Sequence, residues 1–325
     1  MELEFEAISE DLPGAKWKAL FDRHWQAYER WYLQAGERSR PTYLACRRAL
    51  REHMPKLLPI WESLTDLAGG GDVAARFLSF YCPPPYLTGC SQAVWAGSPP
   101  VLVRNYDYHP ELCEGVILKT VWNGHPVIAM NDCLWGVLDG VNEAGLAVSL
   151  SFGGRTAVGE GFGVPIVLRY LLEFCSTTDE ATAVLARVPV HMSYNVTVVD
   201  RKGRFATVYV RPDKPVSILS IPVTTNHQEE VEWEEHAKAT NTVEREQFLS
   251  TRLNESSGSV EGFVAAFLQR PVYSDAFQRG YGTLYTAAYH PAAGRVEYLW
   301  PRQRWEQSFA AFEEGRRTIA LQSIG

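Results

Sequence analysis

Gly89-Cys90-Ser91 is the stretch of this chain whose chemistry stands out. Pro83-Pro84-Pro85 interrupts the apolar approach Phe77-Leu78-Ser79-Phe80-Tyr81, Gln92-Ala93-Val94-Trp95-Ala96 reads as a strand, and Gly97-Ser98-Pro99-Pro100 turns the chain into a second strand from Val101 to Asn105. Cys90 therefore opens a predicted β-hairpin, with Arg104 and Asp107 at the end of its return strand. If the Gly89–Cys90 peptide bond were cut, Cys90 would become a chain N-terminus carrying both a thiol and a free α-amine. That amine titrates at about 7.7 to 8.0, close enough to neutrality to act as the base for its own thiol. Free cysteines are commonly buried and inert, and an Arg and Asp this close in sequence commonly form a weak surface ion pair. The surrounding chain has to decide between these readings.

Composition bounds the partner. The 325 residues are 46% hydrophobic and 12% aromatic, ample for a sizeable core. A net charge of -7 with no long basic run argues against nucleic acid and against an anionic membrane, and leaves a small organic substrate. Cys46, Cys82, Cys90, Cys113, Cys133 and Cys175 lack the paired spacing of a zinc site and are too sparse for a disulfide scaffold, so free thiols and no metal are expected. The Gly-rich stretch from Gly159 to Gly163 lacks the Lys-Ser/Thr of a phosphate-cradling loop, and no cofactor is expected. The acidic start, Met1-Glu2-Leu3-Glu4-Phe5-Glu6, lacks the basic residues and apolar run of a signal peptide, and no stretch approaches about 18 uninterrupted apolar residues; a cytoplasmic protein is the expectation.

The elements that would position Cys90 follow from periodicity. Residues 1–89 read as a helical propeptide or cap, in which Trp17, Leu20, Phe21, His24, Trp25, Tyr28 and Trp31 recur at helical spacing as a packing face. Further helices are predicted from Pro41 to His53, from Pro55 to Leu67 and from Asp72 to Phe80. From Cys90 the pattern turns to strands: a hairpin through Asn123-Gly124, another across Asn142-Glu143-Ala144-Gly145, and, after helices from Val164 to Cys175 and through Leu185, strands over 194–199, 205–210 and 222–227. The acidic run from Glu229 to Glu235 reads as a solvated loop. Helices over 243–253 and 260–268, strands over 283–289 and 295–300, and an amphipathic helix from about Arg304 complete the chain. The class is α+β, with residues 90–325 as one domain of two antiparallel sheets between helical layers.

Four motifs in order, Gly89-Cys90-Ser91, Arg104-Asn105-Tyr106-Asp107, Asn142-Glu143-Ala144-Gly145-Leu146-Ala147 and Thr225-Asn226-His227, resemble the isopenicillin-N acyltransferase family of self-processing acyltransferases and hydrolases. These are relatives of the choloylglycine hydrolases and penicillin V acylases among the N-terminal-nucleophile hydrolases. The resemblance implies a four-layer αββα sandwich and a nucleophilic Cys90, released by an N→S acyl shift at Gly89. It implies that Asp107 accepts from the cysteine's amine, that Arg104 favours the thiolate, and that Asn226 donates its side-chain NH to the oxyanion. It places a further arginine at Arg245, in Thr242-Val243-Glu244-Arg245, with Arg252 as the alternative. Asn142 reads as a turn-shaping residue. Ser151, or a backbone NH near Tyr108, would supply the second oxyanion donor, because Ser151-Phe152 stands where the choloylglycine relatives have an Asn. The implied activity is amide hydrolysis or acyl transfer on a small N-acyl amide or acyl thioester; a homo-oligomer stays open. Two rivals remain: an unprocessed or silent homologue that merely binds a small acyl compound, and a Cys/His dyad of His227 with Cys90 or Cys175, for which no papain-like signature is present.

Overall fold

In the computed structural model, which describes residues 1–255 and 259–321, the chain begins with a strand, β1 (Glu2–Glu10). Helices α1 (Ala15–Tyr32), α2 (Tyr43–His53), α3 (Leu58–Leu67) and α4 (Asp72–Leu78) follow. The helices fall where the apolar spacing predicts them, and Thr42 caps α2 by accepting from Ala45 N at 3.2 Å. The strand is an addition to a segment that the periodicity reads as largely helical. Leu3, Phe5 and Ala7 alternate with Glu2, Glu4 and Glu6, a period of two that the aromatic stripe behind it overshadows.

From Gly89 the strands come in close succession: β2 (Gly89–Trp95), β3 (Val101–Tyr108), β4 (Val116–Thr120), β5 (Val127–Asp132), β6 (Gly136–Asn142) and β7 (Leu146–Phe152). After α5 (Val164–Phe174) and α6 (Thr178–Leu185) come β8 (Tyr194–Asp200), β9 (Phe205–Val210), β10 (Ser217–Leu219) and β11 (Val223–Thr224). Helices α7 (Glu234–Thr240), α8 (Thr242–Asn254) and α9 (Val260–Ala266) precede β12 (Gly282–His290), β13 (Arg295–Trp300), β14 (Gln303–Ser308) and β15 (Gly315–Ala320). Two further departures from the expected pattern appear here. The end of the acidic run starts α7, where Glu234 and Glu235 occupy the first turn and suit the helix dipole. The segment after Arg304 forms two strands and not a helix, because Trp305 and Gln307 face inward between exposed Arg304 and Glu306.

Among the described residues the strands make two sheets, ordered β10-β9-β8-β7-β6-β5-β4-β1-β15 and β11-β2-β3-β12-β13-β14. Neighbours are antiparallel, except that β1 runs parallel to β4 while pairing antiparallel with β15. Cys90, Leu102, Tyr106 and Tyr285 of the smaller sheet meet Ile128, Met130, Leu138 and Val141 of the larger one in an apolar layer that also takes in Phe5. Helices α1 to α6 cover the outer face of the larger sheet through residues such as Trp17, Leu50, Trp61, Leu168 and Leu185. Leu249, Phe263 and Phe267 of α8, α9 and the turn after it cover Ala93, Val101 and Val103 on the far side of the smaller sheet. The layers therefore run helix, sheet, sheet, helix, the four-layer αββα order.

Candidate active site

The β2–β3 hairpin sets the geometry. Its register pairs Gly89 with Asp107, Cys90 with Tyr106 and Gln92 with Arg104, so Cys90, Arg104 and Tyr106 share the face turned toward the larger sheet. Arg104 Nη2 reaches Cys90 Sγ at 3.1 Å, and Thr88 Oγ1 lies 3.7 Å from the same sulfur. Burial pushes the Cys90 thiol up, and the Arg104 charge opposes that shift. The rest of the guanidinium is fully engaged: Nε donates to Leu150 O at 2.9 Å, and Nη1 donates to the Tyr285 hydroxyl at 2.9 Å and to the Asp139 carboxylate. Asp139 in turn accepts from Tyr285 at 2.6 Å and from Tyr289. A buried cation is thereby paired and held with one amino group aimed at the sulfur.

Asn226 lies two residues beyond β11, which pairs with β2 at Thr224–Gln92. The extension brings its side chain to Cys90, whose backbone N–H donates to Asn226 Oδ1 at 3.0 Å. Arg245, one turn into α8, donates to the same Oδ1 at 2.7 Å, to Asp107 Oδ2 at 3.1 Å and to Ser91 Oγ at 2.8 Å. A guanidinium can only donate, so it fixes which end of the amide faces it. Nδ2 then points the other way, toward the Phe152 carbonyl at 3.2 Å and the Thr88 carbonyl at 3.4 Å. Thr242, at the start of α8, accepts from Asn226 N at 2.6 Å and locks the backbone. Asp107 is buried between Arg245 and Thr283, whose hydroxyl donates to Oδ1 at 2.6 Å. Burial raises the Asp107 carboxyl above its usual range, with Arg245 first among the groups that pull it back.

Gly89 is dictated by crowding. A Cβ on it would sit 1.4 Å from the Tyr281 hydroxyl oxygen and 3.2 Å from Asp107 Cβ. On this side a cleft of about 900 Å³ opens onto Thr88, Gly89 and Asp107, walled by Arg245, Tyr273 and Tyr281. Cys90 itself is fully covered.

Residues 95–305 match the family model described as acyl-coenzyme A:6-aminopenicillanic acid acyl-transferase. The chain belongs to this acyl-transferase family. The matched span takes in Arg104, Asp107, Asn226 and Arg245, and begins just past Cys90. No curated protein matches the chain by sequence. Similar solved structures include penicillin V acylase from Agrobacterium tumefaciens, with 14% identity over 68% of this chain and 86% of that one and a TM-score of 0.48; the N-acylethanolamine-hydrolyzing acid amidase ortholog of Caenorhabditis elegans, with 16% identity over 72% and 100% and a TM-score of 0.49; and a mutant of the conjugated bile acid hydrolase of Clostridium perfringens, with 13% identity over 73% and 99% and a TM-score of 0.44.

Against the acyl-transferase expectation, the structure gathers Cys90, Arg104, Asp107, Asn226 and Arg245 around one hairpin end. Arg252 is elsewhere, pairing with Glu255 at 3.2 Å on the surface. The Cys90 N–H goes to Asn226 Oδ1 and not to Asp107, whose carboxylate is taken by Arg245 and Thr283. The Ser151 hydroxyl donates to Thr225 O at 2.6 Å, steadying the strand end that carries Asn226. Asn142 shapes its turn as expected, accepting from Leu146 N at 2.8 Å. The His227 dyad does not form, since Nδ1 lies 3.0 Å from Thr242 Oγ1 and Nε2 lies 3.3 Å from Glu246, while burial pushes the Cys175 thiol up to about 12. Sequence reasoning missed Asp139 and its tyrosines. A lone carboxylate inside Trp135-Gly136-Val137-Leu138-Asp139-Gly140-Val141 was the available signal, because burying it requires a partner. Tyr281 and Thr283 carry no comparable mark. Among the described residues no helix is long and apolar enough to cross a membrane, and no group of three or more His, Cys, Asp or Glu is placed to hold a metal.

Proposed function

We propose that the chain is a cysteine amidohydrolase or acyltransferase that first cuts itself at Gly89–Cys90. Cys90 Sγ attacks the Gly89 carbonyl carbon, the C–N bond breaks, and the thiol proton ends on the Cys90 nitrogen. Water then hydrolyses the thioester, leaving a Gly89 carboxylate and a Cys90 with a free α-amine. In turnover the amine takes the thiol proton, Sγ attacks the carbonyl of a small N-acyl amide or acyl thioester, and the leaving amine or thiol departs with that proton. The acyl group on Cys90 passes to water or to an acceptor amine. Arg104 favours the thiolate, and Asp107, opposite Gly89 in the strand pair, accepts from the new amine once cleavage frees it. Asn226 Nδ2, which now holds the Thr88 carbonyl, is the donor for the oxyanion once a substrate carbonyl takes that place.

The observation that carries this reading is the 3.1 Å contact of Arg104 Nη2 with Cys90 Sγ at the residue following Gly89. The test is Cys90→Ala, for which both chain cleavage and turnover of N-acyl amides should vanish. Cys46→Ala and Cys175→Ala should stay within a few-fold of the parent, because those thiols contribute packing. An alanine variant at 90 that still hydrolysed the same amides would overturn the assignment.

A further inference from the structure

A second cavity, of about 280 Å³, lies on the other side of Tyr106 from the cleft. Its walls are aromatic: Tyr28 and Trp31 of α1, Tyr86 from the segment just before Gly89, and Tyr106 and Tyr108 of β3. Trp31 stands at steep angles to its neighbours, 65° to Tyr28 with centroids 6.4 Å apart and 77° to Tyr86 at 6.0 Å, while Tyr106 and Tyr108 are tilted by 37°. Three carboxylates line this cavity, Glu111 at its rim and Glu114 and Asp132. Glu114 is used up, accepting from Asn131 Nδ2 at 2.8 Å, from Leu134 N at 2.8 Å and from the Tyr28 hydroxyl. Asp132 accepts the Cys133 thiol at 3.6 Å, and among the described residues it makes no ion pair. The Arg104 charge acts on it, but the hydrogen bonds of that guanidinium go to Asp139 and Cys90 Sγ, so an apolar occupant would leave the Asp132 carboxylate without a paired counter-charge.

We propose that this cavity takes a compact organic cation, an ammonium group carried by the substrate, with Asp132 as counter-ion and the five rings as its cage. Aromatic faces attract such a cation through their quadrupoles, most strongly when water is excluded. The volume is at the lower end for small-molecule pockets, which start near about 300 Å³, and suits a head group and not a long chain. The cavity adjoins the chemistry: the Arg104 guanidinium lies over the Tyr106 ring at 4.8 Å and touches Cys90 Sγ with its other edge. Tyr86 belongs to the piece that ends at Gly89, so cleavage alters one wall of the cage.

Burial, and after it the Glu114 charge, raises the Asp132 carboxyl to about 7. The groups around it are Glu114 and Cys113 before β4, Cys133 after β5, His24 and Tyr28 from α1, Arg104, Tyr106 and Tyr108 from β3, Tyr86, and Glu111 at the rim; the Arg104 charge opposes the upward shift. A carboxyl so raised is neutral in acid and charged above neutrality, so cation affinity should rise with pH through that range.

The inference rests on the acyl-transfer reading only in making the cation part of the substrate, and the test separates the two. Full-length Cys90→Ala protein is titrated calorimetrically at pH 8 with choline and with its neutral carbon isostere, 3,3-dimethylbutan-1-ol. Choline should bind at least tenfold tighter than the isostere, and tighter at pH 8 than at pH 6. Asp132→Asn should lose at least tenfold in choline affinity, and Trp31→Leu should weaken it independently of the carboxylate. Equal affinity for the two probes, no binding of either, or an unchanged Asp132→Asn variant would overturn the site. In the unmutated enzyme, acyl compounds bearing an ammonium group should be turned over faster than their neutral isosteres. Choline binding without turnover of any acyl compound would keep the cage and sink the acyl-transfer reading; turnover that favoured the neutral isosteres would do the reverse.

Discussion

Arg245 does two jobs with one guanidinium, and they are separable. It orients the Asn226 amide, and it is the largest influence pulling the buried Asp107 carboxyl back toward its ordinary range. Arg245→Met should therefore let the Asp107 carboxyl rise further. A carboxylate needed in its charged form is lost as pH falls through its pKa, so the acidic limb of turnover should move to higher pH, while kcat on the plateau falls about tenfold or more as Asn226 loses its fixed orientation. In Asp107→Asn that limb should lose the carboxyl's contribution altogether. An Arg245→Met profile with an unmoved acidic limb would show that the Asp107 carboxylate does not limit turnover in acid. At this scale the sequence was informative where a motif brackets the residue, as for Cys90, Arg104, Asp107 and Asn226. Asp139 was hidden because its role is to hold Arg104, and support of that kind depends on three tyrosines' worth of packing across two sheets, Tyr285 and Tyr289 from β12 and Tyr298 behind them. No local spacing encodes that.

Among the elements, the strands from β2 to β9 and the helices between them were legible because each has its own apolar period and a turn signal at its end. β14 was not, although it pairs locally with β13, Tyr298 opposite Trp305, because its alternation is short and mostly polar. Nor were β1 and β15, since what makes them strands is pairing between distant parts of the chain: Glu4 of β1 lies opposite Thr318 of β15, and Glu6 opposite Val116 of β4. The same pairing changes the meaning of the leader. A removable propeptide would rest on the surface, whereas β1 is hydrogen-bonded on both edges and its Phe5 is fully buried between the sheets. Farther along, Trp17 Nε1 donates to Leu134 O at 2.9 Å and Trp135 Nε1 donates to Leu78 O at 2.9 Å, so the segment is tied into the larger sheet from both sides. After cleavage at Gly89–Cys90, pieces of about 10 and 26 kDa, from the 36.5 kDa chain scaled by length, should appear under denaturing conditions yet co-elute on native size exclusion. Release of the smaller piece in native buffer would show that β1 contributes little to holding the two parts together.

One contribution to the whole molecule's response to mild acid comes from a histidine that the sequence gives no reason to single out; His236, also lowered to about 4, adds to it, and the raised Asp132 carboxyl opposes it. His191 is 1% exposed, its Nδ1 lies 3.3 Å from Phe162 O, and its ring stacks on Tyr86 at 28° with centroids 6.4 Å apart. Burial lowers its pKa from 6.5 to about 4. The unfolded chain therefore takes up a proton near 6.5, which the folded protein accepts only near 4. Between those values the unfolded state binds more protons, so stability rises with pH and is lost on acidification through this window, by about 2 kcal/mol between pH 7 and pH 5 for a shift of this size. A depressed carboxylate acts lower down: Glu297, held at about 2, contributes stability that goes only as pH falls from its ordinary value of 4.5. His191→Phe should keep the ring packing and remove the proton. Urea unfolding at pH 7 and pH 5 should then give a smaller difference for the variant than for the parent, by about 2 kcal/mol, while the lost Phe162 contact weighs equally at both pH values and cancels. The same pH difference in both proteins would mean that the buried imidazole is not what the molecule loses in mild acid.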